Sequence, residues 1–190
     1  RRRVRAREAA SQVGVARSAN DHERLRDVLD GIGPVVIAMS GGVDSLTLMT
    51  FAHESGCDAV AFHAISAAVP PSSTERVQAL AKRFGFALHV IDAGEARDPA
   101  YLANPVDRCF VCKSHLYDAI AMHTMHTMHA MHTMHTPRTI ASGTNVDDLG
   151  DYRPGLDAAK DRGVRHPFVD AHLTKRDVRA LARALGLDDV

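Results

Sequence analysis

The chain has 190 residues, 45% of them hydrophobic, which is enough to bury one α/β core but leaves no room for two full domains. Its 23 basic and 23 acidic residues give a formal net charge of zero, so no overall field draws it to nucleic acid or to an anionic membrane, and small-molecule partners are favoured. No apolar stretch approaches the roughly twenty residues of a membrane span, and three cysteines are too few for a disulfide framework, which fits a protein of the reducing cytoplasm.

The first twenty residues form a basic segment with six arginines and a single acid, Glu8. This composition is typical of an organelle transit peptide and also of a disordered basic extension, and we predict the second for residues 1–20. Residues 21–190 are predicted to form the folded domain. Its first helix should run from Asp21 to Asp30, because apolar residues recur there at helical spacing.

A glycine-rich turn follows the first predicted strand, the apolar run at residues 34–39. The turn reads Ser40-Gly41-Gly42-Val43-Asp44-Ser45, and a helical apolar pattern comes directly after it. Two glycines let the backbone turn tightly and bring its N–H groups close to an anion, while the positive end of the new helix points to the same place. Ser40 and Ser45 add hydroxyl donors. The turn therefore predicts a site for the phosphates of a nucleotide.

Two features of this turn narrow its chemistry. No lysine follows Gly42, so the turn is not the loop that holds the terminal phosphates while the last one is transferred. The carboxylate of Asp44 would repel a phosphate unless a divalent cation lay between them, which predicts a Mg²⁺ ion near Asp44. The alternative is an ordinary glycine-rich turn between a strand and a helix.

Strands and helices alternate along the rest of the chain. The further strands are predicted at residues 58–65, 86–91 and 139–141. A capping box of Ser72 and Glu75 predicts the start of one helix, and a box of Thr174 and Asp177 predicts the start of the last. Alternation with short connections predicts an α/β fold in which a parallel sheet carries helices on both faces and binds ligands at the carboxyl ends of its strands.

A tandem repeat of Met-His-Thr interrupts this alternation at residues 122–135. Its five histidines, three positions apart, are of the kind that binds a transition metal in histidine-rich tracts. On a helix, however, a step of three residues drifts by about 60° per repeat, so the histidines would spread around the cylinder instead of lining one face. We therefore predict a low-complexity surface insertion here and not a metal site.

Two cysteines, Cys109 and Cys112, follow the third predicted strand. A helix is predicted to begin just before them, and its dipole, together with Arg108 and Lys113, would lower the pKa of both thiols. Thiolate pairs at this spacing ligate metals or iron–sulfur clusters, exchange disulfides or relay sulfur, and the alternative is two small residues packed under a loop. The remaining cysteine, Cys57, precedes the second strand and is predicted to be inert at the opposite edge of the sheet.

A polar segment, Ser142–Gly155, follows the last predicted strand at the same edge of the sheet as the glycine-rich turn. Asp147, Asp148 and Asp151 are expected to converge there, since neighbouring carboxylates stay ionised most easily around a cation or a basic partner. Arg153 is suited to hold a phosphate or a carboxylate by two parallel hydrogen bonds. The alternative is a turn capped by Asp and Asn, but its place in the sheet favours a second part of the ligand site.

These clusters resemble a known family. Residues 40–45 resemble the PP-loop of the ATP pyrophosphatases, and the three clusters in this order resemble the LarE family of ATP-dependent sacrificial sulfur transferases, with similarity from roughly Leu25 to Leu187. The resemblance implies a PP-loop domain of the adenine nucleotide alpha hydrolase-like, Rossmann-like fold. It also implies ATP and Mg²⁺ as cofactors, adenylylation of a substrate carboxylate with release of pyrophosphate, and replacement of AMP by sulfur, as in maturation of the nickel-pincer cofactor of lactate racemase.

The resemblance also implies roles for individual residues. The nucleotide-binding residues would be Ser40, Gly41, Gly42, Val43, Asp44, Ser45, Gly143, Thr144 and Asn145. The catalytic residues would be Asp44, Arg108, Cys109, Cys112, Lys113, Asp148, Asp151 and Arg153. The partner would be a small-molecule carboxylate, a nicotinate-derived nucleotide, with no nucleic acid and no membrane, and the resemblance suggests a homo-oligomer.

Sulfur transfer is less well supported than adenylylation. Family members with three cysteines draw sulfur from a four-iron iron–sulfur cluster, and Cys109 and Cys112 match two of the three. The family's second part normally supplies the other cysteine in a Cys-x-x-Ser-Arg segment, which the sequence up to Val190 does not contain. Two alternatives stay open: a tRNA-thiolating PP-loop enzyme, against which the balanced charge counts, and an inactive nucleotide-binding fragment.

Overall fold

A single parallel sheet forms the centre of the computed structural model, which describes residues 20–66, 69–103, 105–130, 137–150 and 153–187, with the backbone alone at 127–130. Its strands are β1 (Val35–Met39), β2 (Ala59–Ile65), β3 (Leu88–Asp92) and β4 (Thr139–Ser142). They lie in the order β3-β2-β1-β4 and pair in parallel throughout. Because Met39 pairs with His63 and Ala38 with Ser142, the carboxyl ends of neighbouring strands lie level.

Helices connect the strands. They are α1 (20–32), α2 (Val43–Glu54), α3 (Pro71–Phe84), α4 (Pro99–Leu102), α5 (Arg108–Ala130), α6 (Pro154–Asp161), α7 (Pro167–Asp170) and α8 (Lys175–Ala184), with short 3-10 turns at Glu95–Arg97 and Val146–Gly150. No helix in the described parts of the chain is both long enough and apolar enough to span a bilayer.

The central strand β1 supplies a core on each face of the sheet. Val35, Ile37 and Met39 pack with residues of α1, α2, α3 and α8 on one face. Val36 and Ala38 pack on the other face with residues of α5 and α6. Alternate residues of a strand point to opposite faces, so a continuous apolar run suits a strand that is covered on both sides. The predicted α/β fold with helices on both faces is confirmed.

One predicted helix start is wrong and another is confirmed. Helix α3 begins at Pro71 after Pro70, and no side chain caps it, so Ser72 and Glu75 do not form the expected capping box. A proline at the first helical position has its φ fixed for the helix and needs no partner for an N–H it lacks, which lets α3 start earlier. At α8, by contrast, Thr174 and Asp177 form both bonds of the predicted box.

The Met-His-Thr repeat continues the long helix α5, which extends through Ala130. Met122 and Met125 are 57% and 60% exposed, and His123 and His126 are also exposed. This part of the repeat therefore lies on the surface, as expected. Residues 131–136 fall outside the described residues, and the insertion at 122–135 remains a prediction.

Two close backbone approaches hold the loops at the carboxyl edge of the sheet together. Gly143, directly after β4, packs against the first turn of α2, where an added Cβ would lie 2.6 Å from the Ser45 nitrogen. Gly41 has a φ of +82°, and a Cβ there would lie 2.8 Å from the Cβ of Ser73 on α3. A side chain at either position would push the glycine-rich turn away from its neighbours.

Replacing Gly143 with alanine tests the first of these contacts. We expect Gly143→Ala to lower the free energy of unfolding by about 1–3 kcal/mol, the usual effect of overpacking, because the added Cβ meets backbone and not a movable side chain. Gly31→Ala, on α1 with open space around it, should change stability by no more than about 1 kcal/mol and in the stabilising direction. Denaturant unfolding followed by circular dichroism measures both. Equal stability of the two variants would contradict the tight contact.

Candidate functional site

A cleft of about 380 Å³ opens at the carboxyl edge of the sheet, beside the ends of β1 and β4. It brings together most of the residues that the sequence assigned to the site: Ser40, Asp44, Ser45, Cys109, Lys113, Gly143, Thr144, Asp148 and Arg153. It is also lined by residues without a predicted role: Ala38, Tyr117, Ser142, Pro154, Gly155 and Leu156. Parallel sheets of this kind bind ligands at this edge, so the cleft is the candidate site.

The glycine-rich turn forms one wall of the cleft and is closed by hydrogen bonds of Ser45. The buried Ser45 hydroxyl donates to the Gly42 carbonyl over 3.1 Å and accepts from the Ser40 backbone N–H over 3.1 Å. The hydroxyl hydrogen of Ser45 is therefore used inside the turn, and the exposed Ser40 hydroxyl, which lines the cleft, donates to Ser45 Oγ over 3.2 Å and accepts from the Gly42 N–H over 3.3 Å. Ser45 acts here as a brace for the turn and not as the free donor expected from the sequence.

The turn leads into a helix whose first residues lack a capping side chain. The N-cap of α2 is Gly42, which has no side chain to accept from the first-turn N–H groups of α2. Uncapped amides at a helix start, together with the helix dipole, form an anion site. From α3, Arg76 donates to the Gly41 carbonyl over 2.8 Å and holds the turn in place, a contact that sequence analysis missed.

Lys175 is the largest omission of the sequence analysis. Its Nζ lies 2.6 Å from both carboxylate oxygens of Asp44, although 131 positions separate the two residues. Lys175 is the first residue of α8, and the capping box of Thr174 fixes where that helix begins. A cation in the first turn of a helix is unfavourable. The position of Lys175 at the start of a predicted helix was therefore the signal in the sequence that this lysine has a distant partner.

Of the carboxylates expected to converge after β4, the described residues place Asp148 of the 3-10 turn Val146–Gly150 in the cleft lining and Asp147 outside it. Asp148 accepts from the backbone and side-chain nitrogens of Asn145 at 3.1 and 2.9 Å and pairs with Arg153 at 2.7 Å. Asp147 lies elsewhere, because it accepts from the Lys175 backbone N–H over 2.6 Å at the start of α8. Asp151 falls outside the described residues. Asn145 is fully buried and braces the turn without lining the cleft.

The two cysteines of α5 differ in exposure and do not both face the cleft. Cys109 is exposed and lines the cleft, whereas Cys112 is half-buried and is not part of its lining. Burial raises the pKa of the Cys112 thiol, the charge of Glu95 raises it further, and Lys113 and Arg108 oppose this only in part. The predicted lowering of the thiol pKa is therefore wrong for Cys112, because burial and a buried carboxylate outweigh the helix start.

The basic residues beside the cysteines also differ in position. The guanidinium of Arg108 stacks on the Tyr101 ring at 4.1 Å from its centroid and does not line the cleft. Lys113 does line it, with Nζ 6.0 Å from the centroid of the Tyr117 ring. Burial lowers the pKa of Lys113, and the neighbouring Cys112 and Cys109 act in the opposite direction. Lys113 is thus the basic residue of this pair that a cleft ligand meets.

The described residues do not fit an iron–sulfur cluster. Cys57 precedes β2 at the amino edge of the sheet, as expected, and burial followed by the charge of Asp30 raises its pKa. Cys109 and Cys112 are then the two thiols on the cleft side. Nowhere in the described ranges do three His, Cys, Asp or Glu side chains come together in a group that could hold a metal ion. Two thiolates fall short of the ligand set that a four-iron cluster takes.

The chain is similar in sequence to proteins of other organisms. No family model matches the chain. The chain is 37% identical over 166 residues to an uncharacterized protein of Synechocystis sp., covering 87% of this chain and 59% of that protein. It is 27% identical over 175 residues to the pyridinium-3,5-bisthiocarboxylic acid mononucleotide synthase of Lactiplantibacillus plantarum, covering 91% of this chain and 60% of the synthase. The resemblance to the LarE family is confirmed. The chain thus spans about three fifths of the length of these two relatives.

Solved structures confirm the fold of the chain. The NH3-dependent NAD synthetase of Campylobacter jejuni, solved with a nitrate ion, superimposes with a TM-score of 0.60 at 17% identity, over 90% of this chain and 75% of the synthetase. The NMN synthetase of Francisella tularensis gives a TM-score of 0.58 at 16% identity, over 87% of this chain and 71% of that chain. The chain therefore has the PP-loop, Rossmann-like fold.

Alkylation rates test the assignment of the thiols. We expect iodoacetamide to modify Cys109 much faster than Cys112 or Cys57 near neutral pH, because Cys109 is exposed and a raised pKa keeps the other two as thiols until higher pH. Glu95→Gln should lower the pKa of Cys112, so that its alkylation speeds up and its pH profile moves down, with Cys57 as the unaffected internal control. Peptide mass spectrometry measures all three rates. An unchanged Cys112 rate in this variant would contradict the role given to Glu95.

Proposed function

We propose that the cleft binds ATP with Mg²⁺ and activates a substrate carboxylate as an acyl adenylate, releasing pyrophosphate. The observation that carries the proposal is the meeting, in one cleft, of an uncapped helix start on a glycine-rich turn with the cations Lys113 and Arg153. The names of the synthase and both synthetases describe enzymes with nucleotide products, which supports a nucleotide site in a cleft of this fold. The proposal extends to this chain what those names say of other proteins.

The phosphates of ATP would lie at the start of α2. The first-turn amides of α2 offer N–H donors, Ser40 offers a hydroxyl, and Lys175 stands 2.6 Å from Asp44 at the same turn. A phosphate chain that meets Lys175 competes with Asp44 for its ammonium group. The Asp44–Lys175 pair then holds the lysine in place before ATP arrives, which limits the entropy lost on binding.

The residues present fit a Mg²⁺ ion that is shared with the phosphates. Mg²⁺ takes hard oxygen ligands and is usually held by one or two carboxylates together with substrate phosphates. Asp44 lines the cleft and would hold the ion, which would supply positive charge to the departing pyrophosphate. This chain's own residues would orient the phosphates through the turn, with Arg76 and Ser45 keeping the turn rigid.

The adenylylation step needs no proton transfer by the protein. A carboxylate oxygen of the substrate attacks the α-phosphorus of ATP, a C–O–P linkage forms, and the bond from that phosphorus to the oxygen bridging the α- and β-phosphates breaks. The electron pair leaves with pyrophosphate. The protein would then contribute mainly position and positive charge, the two effects that dominate phosphoryl-type transfers. Lys113 and Arg153, which also line the cleft, would hold the carboxylate.

For the substrate we infer a pyridinium carboxylate mononucleotide, which would go on to a thiocarboxylate when sulfur replaces AMP. The name of the Lactiplantibacillus plantarum synthase, whose product is a pyridinium bisthiocarboxylic acid mononucleotide, supports this assignment. Cys109 is the thiol that lines the cleft and would stand nearest to the adenylate. Neither the cleft nor the balance of charge favours an RNA substrate, so tRNA thiolation is not the preferred function.

Charge removal at Lys175 tests the proposed ATP site. We expect Lys175→Met to weaken ATP binding and to reduce carboxylate-dependent exchange of pyrophosphate into ATP by about a hundredfold, the scale on which loss of one preorganised charge-stabilising donor acts. Lys175→Arg should retain part of the exchange because it keeps the charge. Lys160→Met, an exposed lysine of α6 outside the cleft, is the matched control and should behave as wild type.

The outcomes separate the open alternatives. Exchange that depends on nicotinate mononucleotide, used as an available pyridinium carboxylate, would support the proposed substrate class. ATP binding without exchange for this carboxylate would place the chain with the inactive nucleotide-binding fragments. Wild-type exchange in Lys175→Met would remove Lys175 from the mechanism, and a wild type that does not bind ATP with Mg²⁺ would overturn the proposed function as a whole.

A further inference from the structure

A row of three hydroxyl groups lies along the wall of the cleft at the end of β4. Ser142 Oγ is 3.0 Å from Thr144 Oγ1, and the hydroxyl of Tyr117 from α5 is close enough for Ser142 to affect its pKa. All three residues line the cleft, while Tyr117 and Ser142 are only 2% and 8% exposed. Burial raises the pKa of Tyr117 to about 12, so its hydroxyl remains protonated at neutral pH. Ser142 is the junction of this row.

A histidine from outside the cleft joins the row at its junction. His166, the N-cap residue of α7, places Nδ1 2.9 Å from Ser142 Oγ. His166 is not part of the cleft lining, so it can act on a ligand only through Ser142. The backbone supports this geometry, because the Ser142 N–H donates to the Arg165 carbonyl over 3.0 Å and the Arg165 N–H donates to the Ile140 carbonyl over 2.9 Å.

The hydrogens of the row can be arranged in two ways, depending on whether Nδ1 of His166 carries a hydrogen. A serine hydroxyl has one hydrogen and two lone pairs. When Nδ1 of His166 has no hydrogen, the Ser142 hydrogen points to it, and Thr144 donates its hydrogen to Ser142, so that this hydrogen is used within the row. When Nδ1 carries a hydrogen, it donates to Ser142, the Ser142 hydrogen passes to Thr144 Oγ1, and the Thr144 hydrogen becomes free to point into the cleft.

We infer that His166 is a positioning residue of the ligand site, which, by donating from Nδ1 to Ser142, turns the Thr144 hydroxyl into a donor to an anionic oxygen bound in the cleft. The inference rests on the proposed function, since the anion in question is a phosphate oxygen of ATP or of the adenylate. A phosphate oxygen accepts hydrogen bonds and donates none, so it selects the second arrangement. By linkage, the same ligand favours the form of His166 that carries a hydrogen on Nδ1.

Several groups surround His166 and affect its protonation. Burial lowers the pKa of His166, Asp170 of α7 and Asp148 of the 3-10 turn act to raise it, and the adjacent Arg165 acts to lower it. Asp170 is itself paired with Arg165 at 2.7 Å, which weakens the separate influence of each. Tyr117 faces the row from α5 as a neutral hydroxyl. Because burial is the largest of these effects, the pKa of His166 is lowered and the ring is neutral near pH 7 without ligand. An anion bound in the cleft can therefore favour uptake of a proton by His166.

The test observes Nδ1 directly in the wild-type protein. Nitrogen-15 NMR of histidine-labelled protein, with His166 assigned among the 12 histidines by the spectrum of His166→Asn, reports which ring nitrogen carries a hydrogen. The ligand is Mg²⁺ with the α,β-methylene analogue of ATP, which is not cleaved. We expect Nδ1 to gain a hydrogen on binding and the pKa of His166 to rise. Ser142→Ala removes the junction but not the field of the phosphates, and the rise should be smaller in that variant.

Affinity measurements provide the second readout. His166→Leu should bind the analogue about tenfold more weakly, the effect expected for one lost hydrogen bond to a charged oxygen. His166→Asn keeps an amide donor at the place of Nδ1 and should bind as well as wild type at low pH, with no dependence on histidine titration as pH rises. His172→Asn makes the same change at an exposed histidine outside the cleft whose positive φ asparagine tolerates, and should bind as wild type.

The results distinguish this inference from the proposed function. If the wild type binds the analogue but Nδ1 stays without a hydrogen, or if His166→Leu binds as tightly as wild type at every pH, the role of His166 is overturned while the ATP site stands. If the wild type fails to bind the analogue, the proposed function falls and this inference falls with it. Gain of the Nδ1 hydrogen together with the loss in His166→Leu and its rescue in His166→Asn supports the positioning role.

Discussion

The contact between Gly143 and the first turn of α2 determines how the cleft is built. Because Gly143 has no side chain, the loop after β4 approaches the Ser45 nitrogen more closely than any other residue would allow. This approach places the start of α2, which offers backbone donors, beside Ser142 and Thr144, which offer hydroxyls. The level ends of β1 and β4 in the parallel sheet make the approach possible. Fold and site therefore depend on the same two strands.

Each of the two carboxylates that the described residues place in the cleft lining is paired with a cation from another segment. Asp44 of α2 pairs with Lys175 of α8, and Asp148 of the 3-10 turn pairs with Arg153 ahead of α6. Two carboxylates that share a cleft without partners would repel each other and any phosphate nearby. The pairs remove that repulsion and leave cations that an incoming phosphate can contact. The same pairs hold both cations in place, so each cation must be released from its carboxylate or shared with the ligand when the ligand binds.

Local patterns could be predicted from the sequence, but partnerships between distant residues could not. The turn at residues 40–45, the capping box of Thr174 and the helix start before Cys109 each depend on neighbours in sequence and are found as expected. The Asp44–Lys175 pair and the His166–Ser142 bond join residues that only the sheet order brings together. The pKa of Cys112 was misjudged for the same reason, since it is raised first by burial and then by the charge of Glu95, and both depend on packing against other segments.

The two halves of the proposed chemistry differ in how far the described residues account for them. Adenylylation would require hydrogen-bond donors to phosphate, a carboxylate to hold Mg²⁺ and cations to hold the substrate carboxylate. Residues of all three kinds line one cleft. Sulfur delivery requires a nucleophilic sulfur at the same place, where Cys109 is exposed at the cleft and Cys112 is held as a thiol behind it. In the proposed reaction the adenylate would form first, because it is the species that sulfur attacks, and Cys109 in the first turn of α5 is the thiol that lines the cleft in which it would form.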